Sequence, residues 1–130
     1  MFEREDAVQA EFKRDFPFLK CDLCVGEDWH PILRVLCYHI RHHTGRWNEV
    51  VAIREKFLSK GVEPLPWIVE YFEQNPTNPF VDFKVVQVKA KFGTLRFYVE
   101  SSDDYINGLI AMAESLAHRV VFLPKEGVIE

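Results

Sequence analysis

Val88-Lys89-Ala90-Lys91-Phe92-Gly93-Thr94-Leu95-Arg96-Phe97-Tyr98-Val99 is the stretch on which the architecture turns. It reads as two extended arms joined by a tight turn. A turn centred on Phe92-Gly93 pairs Lys91 with Thr94, Ala90 with Leu95, Val88 with Phe97 and Val86 with Val99. Side chains alternate between the faces of a strand, so this register gathers Val86, Val88, Ala90, Leu95, Phe97 and Val99 on one side. Gln87, Lys89, Arg96 and Tyr98 fall on the other. A slip of one residue would expose the whole apolar set, which is what pins the register. Gly93 supplies the positive φ that such a turn requires, and β-branched and aromatic residues fill both arms.

Downstream, Ser101-Ser102-Asp103-Asp104 offers several caps for an amphipathic helix carrying Ile106, Leu109, Ile110, Ala113, Leu116 and Ala117, up to about Arg119. A lone hairpin is marginal in water, and Val120-Val121-Phe122-Leu123, stopped by Pro124, supplies a third strand on this reading. Upstream, Gln74 to Pro79 is a loop, marked by Asn75-Pro76 and Asn78-Pro79. It separates the hairpin from a helical first half.

That half opens with a charged helix over residues 3–15, with Val8, Phe12 and Phe16 at helical spacing and Pro17 ending it. Phe16 to Cys24 is an apolar, irregular connection containing a short extended piece. Asp28 caps a second helix with Pro31 in its first turn; Ile32, Leu33, Leu36, Cys37 and Ile40 form its stripe to about His43, with Gly45 beyond. A third helix covers Trp47 to Ser59, punctuated by Gly61, and Trp67 to Phe72 form a short helix or turn. The expected fold is α+β, with helices packed on one face of a small antiparallel sheet centred on a hairpin at about residues 81–100.

At 130 residues and 48% hydrophobic, the chain makes one domain, residues 1–130, with one core. Its 11 Phe, three Trp and four Tyr offer large burial area, and most of these rings are assigned to that core. The net charge of −4 argues against general nucleic-acid binding, which favours basic surfaces. No apolar run approaches the roughly 20 residues that cross a bilayer, and the start, Met1-Phe2-Glu3-Arg4-Glu5-Asp6, lacks the pattern of a secretory signal. A cytoplasmic protein without membrane partners is expected. Three cysteines, an odd number, argue against a disulfide framework.

Cys21-Asp22-Leu23-Cys24 is the one spacing that raises a metal question. Two such thiolates can hold Zn²⁺ if two further ligands close the tetrahedron, and His42 and His43 are the candidates taken with them, beside His30, Cys37 and His39. No second pair at finger spacing completes the pattern, so no cofactor is expected and zinc stands as the alternative. Redox use normally sets such a pair before a helix within a βαβ unit, which is absent here. The cluster His39, His42 and His43, with Arg41 and Arg46, reads as cationic side chains at a helix C-terminus. No glycine-rich phosphate loop, nucleophile elbow or catalytic metal motif occurs, which points away from an enzyme without closing that possibility.

The preferred site is the outer hairpin face. Lys89, Lys91 and Arg96 gather there with Tyr98, and Phe92 stands at the tip. Like charges across strands repel unless acidic groups meet them, whether the chain's own helices or a partner. Basic residues interleaved with aromatics suit an acidic protein surface or a phosphate backbone.

Val85-Val86-Gln87-Val88-Lys89-Ala90-Lys91-Phe92-Gly93-Thr94-Leu95-Arg96-Phe97-Tyr98, followed by a helix containing Ala113-Glu114-Ser115, resembles a widespread group of small bacterial and prophage proteins of uncharacterised function. Val25-Gly26-Glu27-Asp28-Trp29 and Leu36-Cys37-Tyr38-His39-Ile40 resemble the same group's Gly-Asp-Gly-Trp opening and following helix. The likeness spans roughly residues 24–116 and is tight across the hairpin. Many members continue into a Cys-x-x-Cys-Gly segment; this chain has Ala117-His118-Arg119-Val120-Val121-Phe122-Leu123, so no metal role carries over there. Ala90 replaces the acidic residue that members place between the two lysines.

The resemblance speaks to fold and provenance; together with the single compact domain and the missing catalytic constellation, it leads to the expectation of a phage or prophage-type interaction protein that binds and modulates or inhibits a host macromolecule, a defence component among them. The expected partner is a host protein with an acidic surface. Nucleic acid ranks behind it, bound by a metal-stabilised accessory module, and an enzyme with a motif-free site comes third. Exposed aromatics would serve a homodimer as readily as a foreign target.

Overall fold

The structure is a computed structural model that describes residues 2–122. Its elements run α1 (Phe2–Asp15), β1 (Leu23–Cys24), a 3₁₀ turn (Glu27–Trp29), α2 (His30–Thr44), α3 (Arg46–Ser59), α4 (Pro66–Gln74), β2 (Lys84–Lys91), β3 (Thr94–Glu100) and α5 (Asp104–Phe122). The class is α+β as expected: five helices and a three-stranded sheet in the order β1-β2-β3.

β2 and β3 pair antiparallel with Lys91 opposite Thr94, Ala90 opposite Leu95 and Val88 opposite Phe97. Beyond that the expected register breaks. Val85, not Val86, pairs with Val99, because a bulge sets Val86 and Gln87 together against Tyr98. Val85 is consequently buried and Val86 turned out to solvent. Phe92 and Gly93 both take positive φ, 52° and 75°, the pattern of a type I′ turn, whose twist matches that of the strands it joins. Ala90 belongs to the inner face by register yet is exposed, since the helical cover ends short of the tip.

The third strand comes from elsewhere in the chain. Val120, Val121 and Phe122 continue α5 as helix, and Leu123 lies outside the described residues. The sheet is completed instead by β1, which runs parallel to β2 with Leu23 beside Val88 and Cys24 beside Lys89. Just upstream Leu19 bridges Val85, with Val85 N–H donating to Phe18 O at 2.9 Å and Lys20 N–H to Val85 O at 3.0 Å. The sheet is therefore mixed, not wholly antiparallel.

One apolar cluster joins the inner sheet residues Leu23, Val85, Val88, Leu95 and Phe97 to Leu33, Cys37 and Ile40 of α2 and Ile106, Ile110 and Ala117 of α5. Phe12, Phe16 and Trp29 complete it, and Trp29 Nε1–H donates to Ala117 O at 3.1 Å in the buried interior. Fewer rings are enclosed than composition suggests: Phe12, Phe16, Trp29, Phe83 and Phe97 are buried, whereas Tyr38, Trp67, Phe92, Tyr98 and Tyr105 are exposed. Asp28 lies inside the 3₁₀ turn and caps nothing, for α2 begins behind Trp29 without a side-chain cap. Asp103 does cap α5, its Oδ1 accepting from Ile106 N–H at 2.9 Å.

α3 and α4 stand apart from this core. Their buried residues Val50 and Ile68 belong to no part of the main cluster. Trp47 Nε1–H donates to Asn75 O at 3.0 Å, and Arg54 lies 4.1 Å over the Phe72 ring.

Candidate functional site

The sheet register places Cys24, Lys89 and Arg96 side by side on the face turned away from the core. Tyr98 and Gln87 follow in the next row, Lys91 and Thr94 lead to the turn, and Phe92 caps it. The five residues singled out from the sequence, Lys89, Lys91, Phe92, Arg96 and Tyr98, thus share one surface of the hairpin.

None of the three cations is neutralised within the described residues. Lys84 of β2 pairs with Glu100 at 3.3 Å, but no carboxylate lies within ion-pair distance of Lys89, Lys91 or Arg96. Lys89 Nζ lies 5.9 Å from the Tyr98 ring centre and Lys91 Nζ 5.7 Å from that of Phe92, distances at which a ring's negative face attracts a cation. Arg96 Nε is covered and has no acceptor. Among the described residues, therefore, no acidic helix of the chain answers this patch.

Phe92 is 91% exposed. Its backbone sits in the left-handed region at φ 52°, which a bulky L-residue enters at a cost of about 1 kcal/mol and which Asn or Gly would occupy cheaply. Neither packing nor backbone conformation rewards phenylalanine at this position.

At each edge of the sheet one side chain bonds to a strand's backbone. On β1, the Gln9 amide accepts from Leu23 N–H at 2.7 Å and donates to Leu23 O at 2.9 Å, as a neighbouring strand would. On β3, Phe97 N–H donates to Glu114 Oε2 at 3.1 Å.

The cysteine–histidine set is not gathered. Cys21 packs partly against the core and Cys24 is exposed, while His43, near the end of α2, places Nε2 2.8 Å from Asp103 Oδ2 and stacks on Tyr105 at 4.2 Å. His42 is exposed, and among the described residues no group of three or more His, Cys, Asp or Glu could hold a metal ion. Burial pushes the Cys21 thiol up and that of Cys37 to about 12, so neither is poised as a thiolate.

The His43–Asp103 contact escaped the sequence reading, because the partners lie 60 residues apart. Burial alone would raise the Asp103 carboxyl, but the hydrogen bonds from His43 and Ile106 N–H outweigh it and hold it below the usual value. A carboxylate only accepts, so Nε2 carries the shared hydrogen. The pair opens on a depression of about 460 Å³ that also reaches Arg46 and Tyr71. Its evident work is to tie the end of α2 to the start of α5.

Comparison of the chain with known protein families, curated proteins and solved structures gives no match. Among the described residues no helix is long and apolar enough to cross a membrane.

Proposed function

We propose that this is a small non-enzymatic interaction protein that docks the outer face and tip of its hairpin on an acidic surface of a host macromolecule, modulating or inhibiting it. Phe92 carries this reading. A large ring held in solvent, in a backbone conformation that disfavours it, is retained at the expense of stability, as contact residues are. Aromatic and arginine side chains are the usual anchors of protein interfaces, and here they stand among three cations with no counter-charge among the described residues. The likeness of the hairpin to small prophage proteins makes a bacterial protein, a defence component among the candidates, the partner to seek.

Affinity capture from a bacterial lysate tests this. The native chain should retain a stoichiometric acidic partner that Phe92→Ala and the triple reversal Lys89→Glu, Lys91→Glu, Arg96→Glu both release. Capture unchanged by either variant removes the face from consideration. A gel shift with DNA or RNA that weakens steeply with salt assigns the same cations to a phosphate backbone instead.

A further inference from the structure

At the base of the hairpin, the end of the strands far from Phe92, the chain entering β2 and the chain leaving β3 meet the junction of α2 and α3. Together they frame the depression of about 460 Å³ onto which His43 and Asp103 open. Small-molecule sites commonly occupy roughly 300–1,000 Å³. Half-buried Tyr71 and Phe80 give this one aromatic walls. Besides His43, its lining holds one cation, Arg46, and one carboxylate, Asp103. The two do not meet. No carboxylate among the described residues lies within ion-pair distance of Arg46, whose guanidinium carbon stands 5.8 Å from the Tyr71 ring centre.

We infer that this depression binds a free apolar α-amino acid, its carboxylate on Arg46, its ammonium on Asp103 and its side chain against the Tyr71 and Phe80 rings. The inference goes beyond the hairpin-face reading and stands without it. Charge selects the ligand. Two opposite charges held apart in one depression are both answered only by a molecule that carries both. A simple anion on Arg46 would lie beside the Asp103 carboxylate, and a simple cation on Asp103 beside the guanidinium. Burial opposes the charge of Asp103, but the hydrogen bonds from His43 and Ile106 N–H prevail, so it is ionised at neutral pH. It also has room for another donor. Oδ1 accepts from Ile106 N–H at 2.9 Å and Oδ2 takes the shared hydrogen of His43 at 2.8 Å, whereas a carboxylate offers about four lone-pair sites. His43 holds it in place, its own ring stacked on Tyr105 at 4.2 Å and edge-on to Phe80 at 5.1 Å. The planar Arg46 fork suits a carboxylate, which it can meet with two parallel hydrogen bonds.

The test titrates free phenylalanine into the full chain by calorimetry, beside hydrocinnamate, which lacks the ammonium, phenethylamine, which lacks the carboxylate, and glycine, which lacks the ring. Phenylalanine should bind at least tenfold more tightly than each of the other three. Arg46→Gln and Asp103→Asn should each weaken it tenfold or more. Arg46 is exposed and asparagine keeps the acceptor that caps α5; thermal melting confirms that each variant folds. Selectivity should then change as mere loss of structure could not make it change. With Arg46→Gln, phenethylamine should bind within twofold of phenylalanine; with Asp103→Asn, hydrocinnamate should. Lys91→Glu at the far end of the hairpin should leave the affinity within twofold. No binding up to millimolar phenylalanine overturns the inference, as does binding indifferent to both substitutions. Hydrocinnamate bound by the native chain as tightly as phenylalanine would make this a site for a simple anion, and phenethylamine so bound a site for a simple cation; either result overturns it equally.

Discussion

Gln9 and Leu23 are joined as two strands would be, the side-chain amide exchanging both hydrogen bonds with one residue's backbone at 2.7 and 2.9 Å. An amide reproduces the donor and acceptor of a peptide group, so α1 closes the sheet without becoming part of it. Gln9→Ala should cost about 1–2 kcal/mol, two neutral hydrogen bonds, in urea denaturation. Gln9→Glu should be no better at neutral pH, because a carboxylate cannot donate and sets a second acceptor against Leu23 O. An alanine variant as stable as the native chain would remove Gln9 from this role.

The opposite edge depends on charge. Glu114→Ala leaves the Phe97 N–H without its acceptor and should destabilise by about 1–3 kcal/mol, with Glu114→Gln between the two. The alanine variant also bares β3, so light scattering at high concentration should detect association that the native chain does not show. A fully stable, monodisperse alanine variant contradicts this.

At the hairpin tip, stability and binding should part company. Phe92→Asn places a residue suited to left-handed backbone at φ 52° and should raise stability by about 0.5–1 kcal/mol, while the captured partner is lost. Thermal melting paired with the capture experiment reads both. An asparagine variant that is less stable would mean that Phe92 packs on something in the free protein.

Acid should expose the tie between α2 and α5. The Asp103 carboxyl is held below its ordinary value of 3.8, so its contribution is complete above that pH and disappears as pH falls through the lower, folded-state value. The melting-temperature gap between the native chain and Asp103→Asn should therefore be open at about pH 5 and should narrow below 3.8. A gap that persists unchanged into strong acid would show that the carboxylate's charge plays no part.

The inner alternation of Val88, Leu95 and Phe97 was legible because only one register hides all three. The bulge was not: Val85 and Val86 are identical in kind, and a period of two cannot say which of two adjacent valines turns inward. β1 escaped because a two-residue strand has almost no periodicity and its partner lies more than 60 residues away. The apolar run at the end of α5 looked like a strand because short apolar runs suit either conformation, and continuation of the helix won. The cationic face followed directly from register. The strain at Phe92 needed a backbone angle.

The separation of Val50 and Ile68 from the main cluster also bears on time. Opening α3 and α4 together exposes Val50, Ile68 and the half-buried rings of Trp47, Phe57, Tyr71 and Phe72, and leaves the sheet and α5 standing. Amides of this helical pair would then exchange with solvent long before those of Val88 or Ile110, which wait for the whole molecule to come apart.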